Sequence, residues 1–316
     1  MSLPPALAGR LRLPVIGAPL FIISTPALVI AQCKAGIVGA FPALNARPAS
    51  QLDEWLHEIR EALDAHDRAH PEAPAAPFAV NQIVHRSNDR LEQDLALCVT
   101  HRVPVVITSL GARPEVNQAV QGYGGVTLHD VIDVTFARKA LEKGATGLIA
   151  VAAGAGGHAG TWSPFALVQE IRRVFDGPLA LSGAISTGRA ILAARAMGAD
   201  LAYMGSAFIA TEEARAPDAY KAMVTASSAK DIVYSNLFTG VHGNYLRPSL
   251  IAAGLDPDAL PVSDPSTMDF GTERPAKAWR DIWGAGQGVG AVDAVLPAAE
   301  RIAQLTREYE AARSAL

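Results

Sequence analysis

A histidine framed by glycines is the residue of this chain best placed to do chemistry. It stands in Gly154-Ala155-Gly156-Gly157-His158-Ala159-Gly160. That frame carries almost no side-chain bulk, so the backbone can approach a flat ligand while one imidazole projects at it. An imidazole titrates near neutrality. It can take a proton from a carbon acid or stabilise an anion. The bland alternative is a loop histidine bonded to backbone or solvent. Two further segments, Leu181-Ser182-Gly183-Ala184 and Met204-Gly205-Ser206, look like strand ends rich in small residues. Their backbone N–H groups, followed by helix starts, suit a dianion, although single glycines in such places often only make tight turns. Together the three segments read as one side of a flavin site.

Elements must hold these segments together, and the chain supplies a regular alternation. Strand-like runs at 14–18, 36–40, 78–81, 103–108, 125–128, 147–151, 178–182 and 199–204 alternate with helix-like runs at 26–34, 50–66, 88–100, 114–121, 131–143, from 163, and 187–197. This is the count of a closed parallel barrel, so the expected fold is α/β, a (β/α)8 TIM barrel. The loops after the seventh and eighth strands, where such barrels commonly hold phosphate, contain Ser182, Gly183 and Ala184, and Gly205 and Ser206. The alternation stops after Ser206. Residues 212–282 are expected to form a smaller, mostly helical inserted or lid domain, with 1–211 and 283–316 making the barrel. A final helix is expected over 292–315.

Composition narrows the classes. The chain has 316 residues, 50% of them hydrophobic, enough for one large α/β domain and a sizeable core. Its formal charge of −4 leaves no basic footprint, so nucleic acid is not expected as a partner. Cys33 and Cys98 are too few and too scattered for a disulfide framework, which suits a reducing cytoplasm. The apolar run 13–31 imitates a signal peptide, but Pro14, Pro19 and Pro26 interrupt it, and Ser24-Thr25-Pro26 reads as a helix start. No stretch reads as membrane-spanning. No group of residues has metal-ligand spacing, so no metal is expected. No Gly-x-Ser-x-Gly, Walker A or Rossmann fingerprint occurs.

Weaker candidates remain. Asn81 ends a strand with an amide that can donate to and accept from a ring or ribityl chain; a turn-forming role is the alternative. Ala18-Pro19-Leu20 could let backbone pass beside a ring system. His129 and His242 could face the site; His57, His66 and His70 lie on or near a polar helix and are expected to be solvated.

At this point the residues resemble the nitronate monooxygenase family, formerly called 2-nitropropane dioxygenases. The matching pieces are Pro14-Val15-Ile16-Gly17-Ala18-Pro19-Leu20 with Ser24-Thr25-Pro26, then Phe78-Ala79-Val80-Asn81. They continue with Gly156-Gly157-His158-Ala159-Gly160, Ser182-Gly183-Ala184-Ile185, Met204-Gly205-Ser206-Ala207-Phe208, and Trp283 with Gly286-Gln287-Gly288. The resemblance covers nearly the whole chain. It implies a barrel carrying FMN that uses molecular oxygen to oxidise alkyl nitronates, or nitroalkanes, to carbonyl compounds and nitrite. It implies His158 as the catalytic residue. It implies flavin contacts at Asn81, Gly156, Ala184, Tyr203, Met204, Gly205 and Ser206, to which the reading of the loops adds Ala18, Pro19, Leu20, Gly157, Ser182, Gly183 and Gln287 as expected cofactor contacts. The absence of a second nucleotide fingerprint favours FMN over FAD. The sequence departs from the family pattern at Val151 and Gly154, where a glutamine and an acidic residue often stand, at Ala184 for a glycine, and at Asp130 for a lysine. Two other readings stay open: an NAD(P)H-dependent flavin reductase acting on quinones or enoyl thioesters, and a flavin-binding module without turnover. A homodimer is compatible with the sequence.

Overall fold

A computed structural model describes residues 3–264 and 282–316. Its first strand, β1 (Val15–Gly17), is wholly buried. Helix α1 (Pro26–Lys34) starts with proline at its first position, as expected, although Thr25 makes no side-chain cap. Strand β2 (Gly39–Pro42) begins later than the sequence suggests. Gly36 has a φ of +94°, a turn conformation that ends any strand running through it.

The alternation then runs as expected. It comprises α2 (Gln51–Ala69), β3 (Phe78–Ile83), α3 (Leu91–Thr100), β4 (Val105–Ser109), α4 (Pro114–Gln121), β5 (Val126–Val131), α5 (Val134–Glu142) and β6 (Gly147–Val151). After a two-residue strand β7 (Gly157–His158) come α6 (Pro164–Arg172), β8 (Leu179–Ser182), α7 (Gly188–Ala196) and β9 (Leu201–Met204). Eight of these strands form one parallel sheet in the order β1-β9-β8-β6-β5-β4-β3-β2. The sheet closes through Val38, whose N–H donates to the Val15 carbonyl at 3.1 Å and whose carbonyl accepts from Gly17 N–H at 2.8 Å. The fold is therefore the (β/α)8 barrel.

Strand periodicity sets what the barrel presents at its mouth. Ile16, Ala79, Ile107, Leu128, Ala180 and Leu201 belong to one buried cluster, the barrel interior. Successive side chains alternate across a strand, so residues two further on face the same interior. Those are Ala18, Asn81, Ser109, Asp130, Ser182 and Tyr203, one layer at the C-terminal ends of the strands. That end is where barrels of this type place their chemistry.

Beyond β9 come α8 (Ser206–Ile209), α9 (Asp218–Ala226), β10 (Ile232–Ser235), β11 (Gly243–Leu246) and α10 (Arg247–Ala252). The helices expected in this segment are joined by a strand pair that the sequence did not signal. β10 and β11 are antiparallel, and β11 also pairs with β7, giving a three-stranded sheet β10-β11-β7. Residues 265–281 of the expected insert lie outside the described residues. The last helix, α11 (Ala298–Ser314), starts later than expected because residues 287–291 form a 3-10 turn and Pro297 is held extended at its N-cap. α11 lies on α7 so closely that Gly188 has no room for a side chain beside Tyr309.

Candidate functional site

The polar layer at the barrel mouth is cross-bonded. Asn81 donates through Nδ2 to Ser109 Oγ at 2.8 Å and to the Ile107 carbonyl at 3.3 Å. Its amide nitrogen is thus committed to the barrel, and what it can offer a ligand is the carbonyl oxygen. Asp130 stands beside Ser109. Burial raises its pKa, against the pull of neighbouring His129 and of hydrogen bonds from Ser109 and the Leu110 N–H. Tyr203 is pushed well above the usual phenol range by burial, with the Asp130 charge adding to it. The sequence marks this carboxyl only as a departure from the family pattern and does not place it at the mouth. Its signal was present: it sits two positions after the interior residue Leu128.

A small hollow opens between the loops after β8 and β9. Its walls are Ser182, Gly183, Ala184, Ile185 and Ser186 on one side and Tyr203, Gly205 and Ser206 on the other. Gly154, Ala155, Gly156, Gly286 and Gly288 complete it. None of these residues carries a charge, so nothing in the lining repels an anion. The glycines are demanded by space. A Cβ on Gly156 would lie 2.8 Å from the Gly286 nitrogen, and one on Gly288 would lie 2.5 Å from Ser186 Oγ. Gly183, with φ +141°, would bring a Cβ within 2.8 Å of the Ala153 carbonyl.

Backbone bonds tie the walls together. Gly154 accepts from Gln287 N–H at 2.9 Å and from Ala184 N–H at 3.3 Å, a long bond that leaves the latter shareable. Ser206 Oγ accepts from Gly286 N–H at 2.8 Å. Ala18 and Leu20 reach the same rim: their side chains lie 3.6 and 3.3 Å from where a Cβ on Gly205 would stand. Ala18 N–H also donates to the Met204 carbonyl at 2.8 Å. Pro19 lies between them, half-buried. The structure therefore brings Ala18, Leu20, Gly156, Ser182, Gly183, Ala184, Tyr203, Gly205 and Ser206 into one neighbourhood, with Asn81 across the mouth. Met204 departs from this set. Its side chain is 1% exposed within the core behind β9. Gln287 touches Gly154 but points largely to solvent, and Gly157 belongs to β7 outside the hollow.

His158 is held from the far side. Its backbone pairs with Gly243, and the neighbouring Ala159 N–H donates to the His242 carbonyl at 3.2 Å. Asn244 Nδ2 donates to the Ala155 carbonyl at 2.6 Å, and Tyr234 OH to the Ala159 carbonyl at 2.9 Å. The ring itself sits with Nε2 3.0 Å from Thr239 Oγ1. Thr239 is also 3.0 Å from the Val241 carbonyl. A carbonyl only accepts, so the hydroxyl proton goes there. The Thr239 oxygen is then left to accept from His158 Nε2–H. The ring is half-buried, and desolvation lowers its pKa to about 4. An unperturbed imidazole would titrate near 6.5; the folded protein instead holds His158 neutral. Thr239, 81 residues away in the chain, had no local signal in the sequence.

The other histidines do not join the mouth. His129 points to the outer side of β5, buried, with Nδ1 2.6 Å from Thr108 Oγ1. His242 is exposed and stacks on Tyr234, ring centroids 4.9 Å apart. Sequence reading also missed Asn45, which organises the loop after β1. Its Oδ1 accepts from Ile22 N–H at 2.8 Å, while Nδ2 donates to the carbonyls of Leu20 and Ser24. Ile22, at φ +68°, depends on that support.

The profile of the nitronate monooxygenase family matches residues 8–308. The chain belongs to the nitronate monooxygenase family. A nitronate monooxygenase of Paraburkholderia phytofirmans is 28% identical, over 94% of this chain and 92% of that protein. The crystal structure of a nitroalkane oxidase from Streptomyces ansochromogenes superposes with a TM-score of 0.83 at 25% identity, covering 98% of this chain and all of that one. FabK from Thermotoga maritima shares the fold, with a TM-score of 0.79 at 23% identity over 98% and 96% of the two chains. As a member of the nitronate monooxygenase family, the protein is a flavin-dependent oxidoreductase with a small-molecule substrate. No helix among the described residues is long and apolar enough to cross a membrane.

Proposed function

We propose that this protein holds FMN at the barrel mouth and oxidises alkyl nitronates with molecular oxygen, giving a carbonyl compound and nitrite. The observation that carries the reading is the charge-free, glycine-walled hollow at the barrel mouth, with His158 two residues beyond its Gly156 wall. The hollow suits the phosphate of a mononucleotide: its walls are bare backbone, and side chains there would collide with the Gly286 nitrogen or Ser186. Gly183, Ala184, Gly205 and Ser206 would hold that phosphate. Ala18, Pro19, Leu20, Asn81, Gly156, Ser182 and Tyr203 would border the rest. Bound FMN would accept electrons from the substrate and pass them to oxygen.

The chain's own part is to position the substrate and manage its proton. A nitroalkane in its neutral form must lose an α-proton, and neutral His158 would take it. Thr239 would orient the ring from the 212–282 segment, which we read as the smaller, lid-like domain on a barrel made by 1–211 and 283–316. A nitronate is already deprotonated and needs no base.

The purified protein should be yellow and should release FMN on denaturation. Mixing it anaerobically with a nitronate should bleach the flavin absorbance, and admitting air should yield nitrite. Bleaching by NADH but not by nitronate would instead make it a reductase of quinones or enoyl thioesters. Bleaching by neither would make it a binding module.

A further inference from the structure

Outside the barrel strands, between α2 and the end of α3, two imidazoles converge on one carboxylate. We propose that Asp53, His57 and His101 form a binding site for a borderline divalent cation of the zinc type, independent of the flavin chemistry. Asp53 and His57 lie one turn apart on α2, so both project from one face. His101 is the C-cap of α3 and comes from the other side. Its Nε2 is 2.6 Å from Asp53 Oδ1, and His57 Nε2 is 4.0 Å from the same oxygen. All three ligand atoms lie within 4.8 Å of one another.

The bland reading is a histidine–aspartate hydrogen bond. It accounts for His101 and Asp53 but not for His57, which is too far from that oxygen to bond it. The two imidazole rings instead meet edge to face, centroids 4.5 Å apart at 83°. A tetrahedral ion with bonds of about 2.0–2.1 Å needs ligand atoms roughly 3.3 Å apart. The triangle reaches that by turning the exposed His57 inward and letting the short Asp53–His101 contact open. His101 then presents its Nε2 lone pair and keeps its one proton on Nδ1; water fills the fourth position. Two imidazoles in three ligands select zinc, copper or nickel over magnesium or calcium. Arg60 donates to the His101 carbonyl and is a cation adjoining the site. A bound ion would clamp α2 to α3.

The test uses flavin-loaded protein with its purification tag removed, treated with chelator and titrated calorimetrically with zinc sulfate. The expected result is one site per chain and a higher melting temperature with zinc, since an ion that binds only the folded state stabilises it. His57→Ala and Asp53→Asn should each weaken binding by about 10-fold or more and erase the melting shift. His57 is exposed, so its replacement should leave the zinc-free melting temperature and the flavin content unchanged. His66→Ala should leave zinc binding intact. No zinc binding by the wild type would overturn the proposal. So would binding that survives in the His57 and Asp53 variants but falls in His66→Ala, which would place the ion at the His66–His70 pair.

Discussion

Around the barrel mouth, the rim at β8 and β9 and the rim at His158 are held by different means. The first rim is made of short loops that follow their strands directly. Gly183, Gly205 and Ser206 are placed by β8 and β9 themselves; Gly183 packs mainly on the backbone of Ala152 and Ala153, and Gly205 on the side chains of Ala18 and Leu20. The second rim is assembled from distant pieces. β7 owes its pairing to β11, and the His158 ring owes its neighbour to Thr239. On the proposed reading, the first rim would cradle the phosphate, and the second would carry the residue that handles the proton, in contact with a separate segment. Changes on the first rim should therefore act on cofactor retention, and changes on the second on turnover.

The largest effect expected tests the first rim. Ser206→Glu sets a carboxylate against the phosphate position and removes the Gly286 bond; like-charge juxtaposition costs several kcal/mol, or about 10³-fold in flavin affinity. Flavin content after gel filtration reads it, with circular dichroism to confirm the fold. A yellow Ser206→Glu protein would detach the phosphate from this hollow. His158→Asn comes next. It should keep its flavin, because the cradle is untouched, and lose roughly 10²-fold in turnover of neutral nitroalkane, the usual scale for a general base. If turnover survives unchanged, the histidine is structural. Thr239→Val is smaller. Losing one hydrogen bond costs about 1 kcal/mol, so nitroalkane turnover should fall roughly 5-fold. Thr239→Ser should restore it, and nitronate oxidation should be unaffected by either change. Equal losses on both substrate forms would mean that Thr239 acts on the fold of the rim and not on the tautomer.

How much of this was legible in the sequence follows the same division. The barrel was, because its alternation is a local signal repeated along the chain and glycine or proline punctuates several of the strand ends. The Gly183 and Gly205 loops were legible because their spacing is that of adjacent barrel units. The side chain of Met204 lies away from the mouth because the alternation within β9 turns it outward while Tyr203 turns in. Asp130 and Ser109 could have been found by carrying the interior register of β4 and β5 one step to the mouth. Thr239, Asn244 and Tyr234 could not, since no local pattern ties them to residues some 80 positions earlier; only the β7–β11 pairing does. The pKa of His158 was illegible for the same reason: its burial is tertiary.

The most direct measurement is the pH profile of kcat/KM for freshly dissolved neutral nitroalkane, with wild type and His158→Asn side by side. The folded protein lowers the His158 pKa to about 4 by burial, so the base form is the populated form above that value. Activity should be level through neutrality and should fall as pH drops through the region of 4, and His158→Asn should lack that limb. An acidic limb centred near the unperturbed value of about 6.5 would contradict a desolvated, Thr239-bound imidazole. A limb that persists in His158→Asn would contradict its role as the base.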